Sequence, residues 1–190
     1  MARPLSEDKR NAILTAATQA VAELGMGAST ARIARDAGVA EGSLFTYFNS
    51  KDELLNQLYL SLKADFRAVM IDGYNANASV RDRCRHIWDR SVDWGQQSPV
   101  KRKALRQLTV SDKVTEQTRI TGAEAFRDMQ SMWEEGLKAG VLRQLPNAFI
   151  GNVLESIAET VLESIARDPG HAATYRQSGF DAFWGAISRK

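Results

Sequence analysis

The sequence predicts an all-α protein, and three observations carry that expectation. Apolar residues recur every three or four positions along nearly the whole chain, beginning with Ile13, Ala17, Val21 and Leu24, which is the period of helices with one buried face. No segment shows the apolar–polar alternation of a half-buried strand. Serine, glycine and proline fall between the periodic runs, where helices start and stop. No internal repeat or low-complexity segment interrupts this layout.

Ser6 caps the first helix, and Glu7 and Asp8 stand in its first turn, where the positive end of the helix dipole favours them. Gly25 closes it. Ser29 caps a second helix carrying Ile33, Ala34 and Ala37 at helical spacing. Gly38-Val39 breaks that run, and a third short helix turns Leu44 and Phe48 inward at an i, i+4 interval. Two helices joined by a tight glycine turn form a helix-turn-helix, whose second helix can lie in a DNA major groove. Ala34 is small enough for the helices to cross closely, and Gly38 can take the positive φ of the turn. Ala40 stands where the third helix begins, so Ser43 is expected to serve the exposed amides.

Ser50 caps a long fourth helix whose Leu55, Leu58, Tyr59, Leu62, Phe66, Val69 and Met70 share a face and which ends near Gly73. It is the one continuous element leading from the first three helices into the rest of the chain. After the polar NANAS stretch, Ser79 opens a helix with Val80, Cys84, Ile87, Trp88 and Val92, ended by Gln96-Gln97-Ser98-Pro99. A short helix with Val100, Ala104, Leu105 and Leu108 follows. From Ser111 one helix is expected to run past Val114, Phe126, Met129, Trp133 and Leu137 to Gly140. Pro146 ends the connection after it. Residues 147–167 form the most apolar helix, Pro169-Gly170 stops it, and a final helix carries Tyr175, Phe180, Phe183, Trp184 and Ile187.

Composition narrows the function classes. With 190 residues and 44% hydrophobic content, there is material for a sizeable core. The net charge is only +2, and residues 1–51 set Arg3, Lys9, Arg10, Arg32, Arg35 and Lys51 against Glu7, Asp8, Glu23, Asp36 and Glu41. DNA affinity must therefore come from the placement of a few donors rather than from bulk charge. The single Cys84 excludes an intrachain disulfide and a multi-cysteine metal site. His86 and His171 form no metal motif, so no metal and no cofactor are expected. Glu155, Glu159 and Glu163 read as a solvated stripe. No nucleophile–base spacing or phosphate-binding glycine loop is present, so no enzyme is expected. No apolar run reaches membrane-spanning length, and MARPLSEDKR lacks the apolar region of a signal peptide, so a cytoplasmic protein is expected.

Ile33-Ala34, Ala37-Gly38-Val39, Gly42, Leu44, Phe45, Tyr47-Phe48, Ser50-Lys51 and Leu54 together resemble the TetR family of bacterial transcriptional regulators. That family's signature follows an Ile-Ala helix and an Ala-Gly-Val turn with Gly-x-Leu-aromatic-x-Tyr-Phe-x-Ser-Lys-x-x-Leu. Phe45 departs from it, because the family favours tyrosine there and a hydroxyl that could reach a phosphate is missing. The resemblance implies a DNA-binding head over residues 1–50 and a helical regulatory body over 51–190, holding an effector pocket and a dimer interface. It implies a homodimer on a palindromic operator that lets go when a small molecule of unread identity binds. An effector-independent protein, acting architecturally or through a protein partner, is the alternative.

Candidate sites follow from both readings. Glu41, Gly42, Ser43 and Thr46 occupy the exposed front of the third helix, with Phe45 and Tyr47 beside them and Ser29 and Thr30 at the start of the second. Ser43 and Thr46 can bond bases or phosphates, and Glu41 either accepts from a cytosine amino group or only satisfies the helix dipole. Tyr47 is expected to face outward to a phosphate, and Lys51 to neutralise one. Arg3 is an arm that reaches a groove or has no role. Trp88, Trp94, Phe126, Met129 and Trp133 line the effector pocket by resemblance, or are simply core. For the dimer interface, residues 147–167 are apolar over more of their circumference than one stripe needs, which brings in Val153, Ile157 and Val161. Gly179, Ala182 and Ala186 stand at close-approach spacing beside Phe183. Two helices per subunit would then form a two-fold four-helix bundle.

Overall fold

The computed structural model describes residues 6–124 and 126–189, the side chain of Asp128 excepted, so that Arg3 lies outside the described residues. The chain runs through α1 (Glu7–Leu24), α2 (Thr30–Asp36), α3 (Glu41–Tyr47), α4 (Lys51–Ile71), α5 (Val80–Gln97), α6 (Pro99–Thr109), α7 (Glu116–Glu124), α8 (Arg127–Lys138), α9 (Asn147–Arg167) and α10 (Ala172–Ile187). Short 3-10 turns, Gly25–Gly27 and Pro169–His171, follow α1 and precede α10. Among the described residues the sole β feature is one isolated antiparallel bridge, Leu142 to Ser188. No helix there is long and apolar enough to cross a membrane.

Serine hydroxyls start the helices where the sequence places them. Ser6 accepts from the Lys9 amide, Ser29 from Arg32, Ser50 from Glu53 and Ser79 from Asp82, at 3.0 to 3.4 Å. Each satisfies one of the four amides a helix start leaves open, worth about 1 kcal/mol. Asn49 completes the α4 start: its backbone and side-chain amides both donate to Glu53 Oε2, at 2.8 and 2.7 Å. α3 has no side-chain cap at Ala40; Ser43 contributes its backbone amide, which bonds Ala40 O at 2.9 Å.

The single helix expected from Ser111 to Gly140 is two. Residues 111–115 form a turn in which Ser111 Oγ accepts from the Lys113 amide and Thr115 Oγ1 caps α7 at the Thr118 amide. Asn56 on α4 holds that turn, donating to Lys113 O at 2.8 Å and accepting from the Thr115 amide at 3.0 Å. Phe126, with φ −101° and ψ 24°, marks the start of α8.

The chain divides into two compact units, one drawn from Met1–Asp65 and Ser98–Ala125, the other from Phe66–Gln97 and Phe126–Lys190. In the first unit α6 packs along α1, and the first fifteen residues of α4 belong with it. Its core is built from Ile13, Ala17 and Val21 of α1, Ile33 and Ala34 of α2, Leu44 of α3 and Phe48 at its end, Leu54, Leu55 and Leu58 of α4, and Ala104 and Leu108 of α6. Truncating Leu44, which has no exposed surface, would cost roughly 2–5 kcal/mol.

The second unit encloses Trp88, Cys84, Ile87, Met132, Leu162, Phe180 and Phe183 between α5, α8, α9 and α10. Gly179 lets α10 close on its neighbours: a Cβ there would collide with Val161 and stand 2.6 Å from Trp88 Cζ2. Trp88 stacks on Phe183 at 6.1 Å, and its Nε1 donates to Arg176 O at 3.0 Å. The last turn of α4 is held in this unit by α5, where Arg90 donates to Val69 O and to Asp72 and His86 Nε2 bonds Met70 O. Residues 141–143 and 187–189 pair beside α8, through Arg143 N to Ile187 O and Arg189 N to Val141 O.

Candidate nucleic-acid interface

α2 and α3 are seven residues each, too short to be stable alone, so their packing decides their placement. The α2 chain ends in a stack of backbone bonds, with Ala37 N to Ile33 O, Gly38 N to Arg35 O and Val39 N to Ala34 O. Gly38 sits at φ +68°, a conformation that strains any residue with a Cβ. Ala34 and Leu44 are fully buried, fixing the crossing of the two helices. Arg32 braces α2 from outside, bonding Asp36 at 2.6 Å and Glu23 at 3.1 Å. The Arg32 hydrogen bond holds the Asp36 carboxyl below its ordinary range.

Leu44 and Phe48 take the buried side of this segment and leave Glu41, Gly42, Ser43, Phe45 and Thr46 outward. Phe45 is 42% exposed, a large apolar ring with no core to enter. The Thr46 hydroxyl bonds back to Gly42 O at 3.4 Å, and Ser29 is spent on its cap. Thr30 donates its hydroxyl to Glu41 Oε1 at 2.6 Å, joining the first residue of α2 to the first of α3.

Two residues are placed differently from the sequence reading. Tyr47 was expected to face outward; it is half-buried, and its hydroxyl accepts from the Ser6 amide at 3.3 Å, tying α3 to the start of α1. The phenolic proton remains to be donated. Lys51 is also half-buried, and its ammonium donates to Met26 O at 2.7 Å. An ammonium has three donors, so two remain for a phosphate. Arg10 went unread as part of this region: its guanidinium lies over the Phe48 ring at 5.5 Å and bonds Gln57 at 3.1 Å. An Arg thirty-eight positions from a Phe leaves no local signal in a sequence.

The candidate ligand residues lie in the second unit. Trp88, Trp94, Met129 and Trp133 are at most 9% exposed, and Phe126 is half-buried. Phe66 joins two of them, its ring 4.8 Å from Trp94 and 6.1 Å from Phe126. Of the candidate dimer residues, Val161, Gly179 and Phe183 are taken up inside the chain's own core, which accounts for part of the apolar surplus of α9. Val153, Ile157 and Ala186 are half-buried, and Ala182 is exposed.

Comparison with known proteins bears on the family and the fold. The profile of the bacterial regulatory proteins of the TetR family matches residues 13–58. An uncharacterized HTH-type transcriptional regulator of Haemophilus influenzae is 26% identical over 106 residues, 55% of this chain and 57% of the relative, so the match spans little more than half of that protein. A TetR-family transcription regulator from Shewanella sp. PV-4 superposes with a TM-score of 0.87 at 26% identity, over 96% of this chain and 99% of that one. The transcriptional regulator FadR of Bacillus subtilis, solved in complex with stearoyl-CoA, shares the fold with a TM-score of 0.69 at 16% identity, over 92% of this chain and 97% of that one.

Proposed function

We propose, from the premise that the chain is a TetR-family transcription regulator, that it represses its target by gripping a palindromic operator as a homodimer and releases it when a small molecule binds the second unit. The observation that carries the DNA reading is the partition of α3. Its apolar residues are buried, and every exposed position except Phe45 is small or polar. Ser43, Thr46, Tyr47 and Lys51 supply donors to the groove or its phosphates, and Gly42 lets the backbone come close. Ser29 and Thr30 flank this face from α2.

Two copies are needed because one recognition helix covers only a few base pairs, and half-sites lie about 34–36 Å apart or at a multiple of that. Exposed Ala182, with Ala186, Val153 and Ile157, forms the surface through which α9 and α10 meet those of a second copy. The effector reading is supported by the unbroken run of α4, which begins beside α3 and is anchored by α5 at its far end, and by the acyl-CoA complex of a protein of the same fold. A ligand changes DNA affinity only by binding two states of the protein unequally. Trp88, Trp94, Phe126, Met129 and Trp133 are the side chains it would meet. If these side chains only fill the core, the alternative holds, a DNA-binding protein with no small-molecule effector.

The test starts from duplexes selected by the purified protein. The operator should be palindromic, and affinity should fall steeply with salt. Ala182→Glu should leave the chain folded but monomeric, with little operator affinity. A wild-type protein that sediments as a monomer with and without operator would end the dimer reading. Tryptophan fluorescence of the operator complex, titrated against a ligand library, separates the effector reading from its alternative.

A further inference from the structure

Resting on the placement of α3 in the major groove, we infer that Glu41 determines specificity by reading a cytosine in each half-site, and that Thr30 positions it. An ionised carboxylate only accepts hydrogen bonds, and so does a phosphate, so Glu41 cannot serve as a backbone contact. On the groove face of α3 it either accepts from a base or repels the duplex.

The major groove offers two amino donors. That of adenine stands beside the N7 acceptor, which repels a carboxylate; that of cytosine has no acceptor next to it on its own base. Guanine and thymine present only acceptors and a methyl group there. Cytosine is therefore the base that Glu41 accepts.

The structure also fixes the carboxylate. Thr30 donates to Oε1 at 2.6 Å from the first residue of α2, which leaves Oε2 to accept. Charge-assisted bonds of this length are strong, and a side chain already held in one rotamer loses less entropy on binding. Gly42, next in the chain, puts no side chain beside it. A glutamate that only complemented the helix dipole would need neither the bond from Thr30 nor a particular base.

Selection from randomised duplexes, repeated with full-length variants at one salt concentration, tests this directly. Wild-type protein should enrich a cytosine at one position of each half-site. Glu41→Ala should lose that preference, roughly tenfold in discrimination, while binding random duplex more tightly because a negative charge has left the face. Glu41→Gln should move the preference toward adenine at the same position, a change that misfolding cannot imitate. Thr30→Val should weaken discrimination at that position alone, and Thr30→Ser should restore it. If Glu41→Ala and Glu41→Gln keep every base preference and only raise affinity uniformly, Glu41 reads no base. If Thr30→Val discriminates as wild type does, the positioning role falls. A wild-type protein that enriches no sequence at all would overturn the DNA reading itself, a distinct outcome.

Discussion

Gly42→Ala should make the free protein more stable and the operator complex weaker. Gly42 lies in the first turn of α3, is exposed, and is not among the glycines with positive φ. A Cβ built there meets nothing within 4 Å, so the fold itself gives no reason for glycine. Alanine in a helix is worth about 0.5–1 kcal/mol over glycine, partly through the entropy of the unfolded chain. For a chain of this size that raises the midpoint of thermal unfolding by roughly 1–4 °C. In the proposed complex the added methyl would meet DNA instead of solvent. Forcing a methyl into a close-packed contact typically costs about 1–3 kcal/mol, which corresponds to roughly 5- to 150-fold in operator affinity. Circular dichroism melts and anisotropy titrations on one preparation read both effects. Raised stability with unchanged operator affinity would refute the close approach of α3, and lowered stability would refute the open space around residue 42.

Gly179→Ala tests packing inside the second unit: with Val161 and Trp88 in the way, it should lose about 1–3 kcal/mol of stability in urea, and a neutral result would mean α10 is not seated as described. Cys84 is buried, and its thiol is pushed up to about 12 from an ordinary 9.0, so native protein at pH 8 should label with a thiol reagent only as fast as it opens. Because the folded-state value is raised, this group's contribution to stability is intact below pH 9.0 and is lost as pH climbs toward about 12, which alkaline melts can follow; labelling as fast as in denaturant would contradict the burial.

The helices were legible because their signals are local. A serine three residues before the amide it caps, or a glycine after the last apolar position, is visible in a short window. The buried faces of α1 and α4 were equally plain, since Ile13, Ala17 and Val21, or Leu55, Leu58 and Leu62, share a face by period alone. What was missed depends on residues far apart in the chain. The helix expected from Ser111 breaks first at residues 111–115, a turn that Asn56 holds from 57 residues before Lys113, and the apolar rhythm of Phe126, Met129 and Trp133 gives no local sign that α8 starts afresh at Phe126. Tyr47 was assigned outward from its neighbour Phe48, but its hydroxyl finds Ser6, 41 residues back. Lys51 follows α3 in the chain, but the Met26 carbonyl that its ammonium bonds is 25 residues away.

Small residues and aromatics were ambiguous for a different reason. Spacing shows that Gly179 admits a close neighbour, but not whether that neighbour belongs to the same chain. The structure puts Trp88 and Val161 of its own chain there. Trp88 carries the same ambiguity into the effector question. Its indole is stacked on Phe183, and its N–H is spent on Arg176 O at 3.0 Å. A ligand that displaced Trp88 would break that bond and leave a buried donor, at a cost of about 1–3 kcal/mol, unless it brought an acceptor of its own. It would also have to replace the lost contacts of a fully buried ring. Any effector acting at Trp88 therefore needs an acceptor within reach of Nε1 as well as apolar bulk. A purely hydrocarbon ligand would bind there only by leaving Trp88 in place.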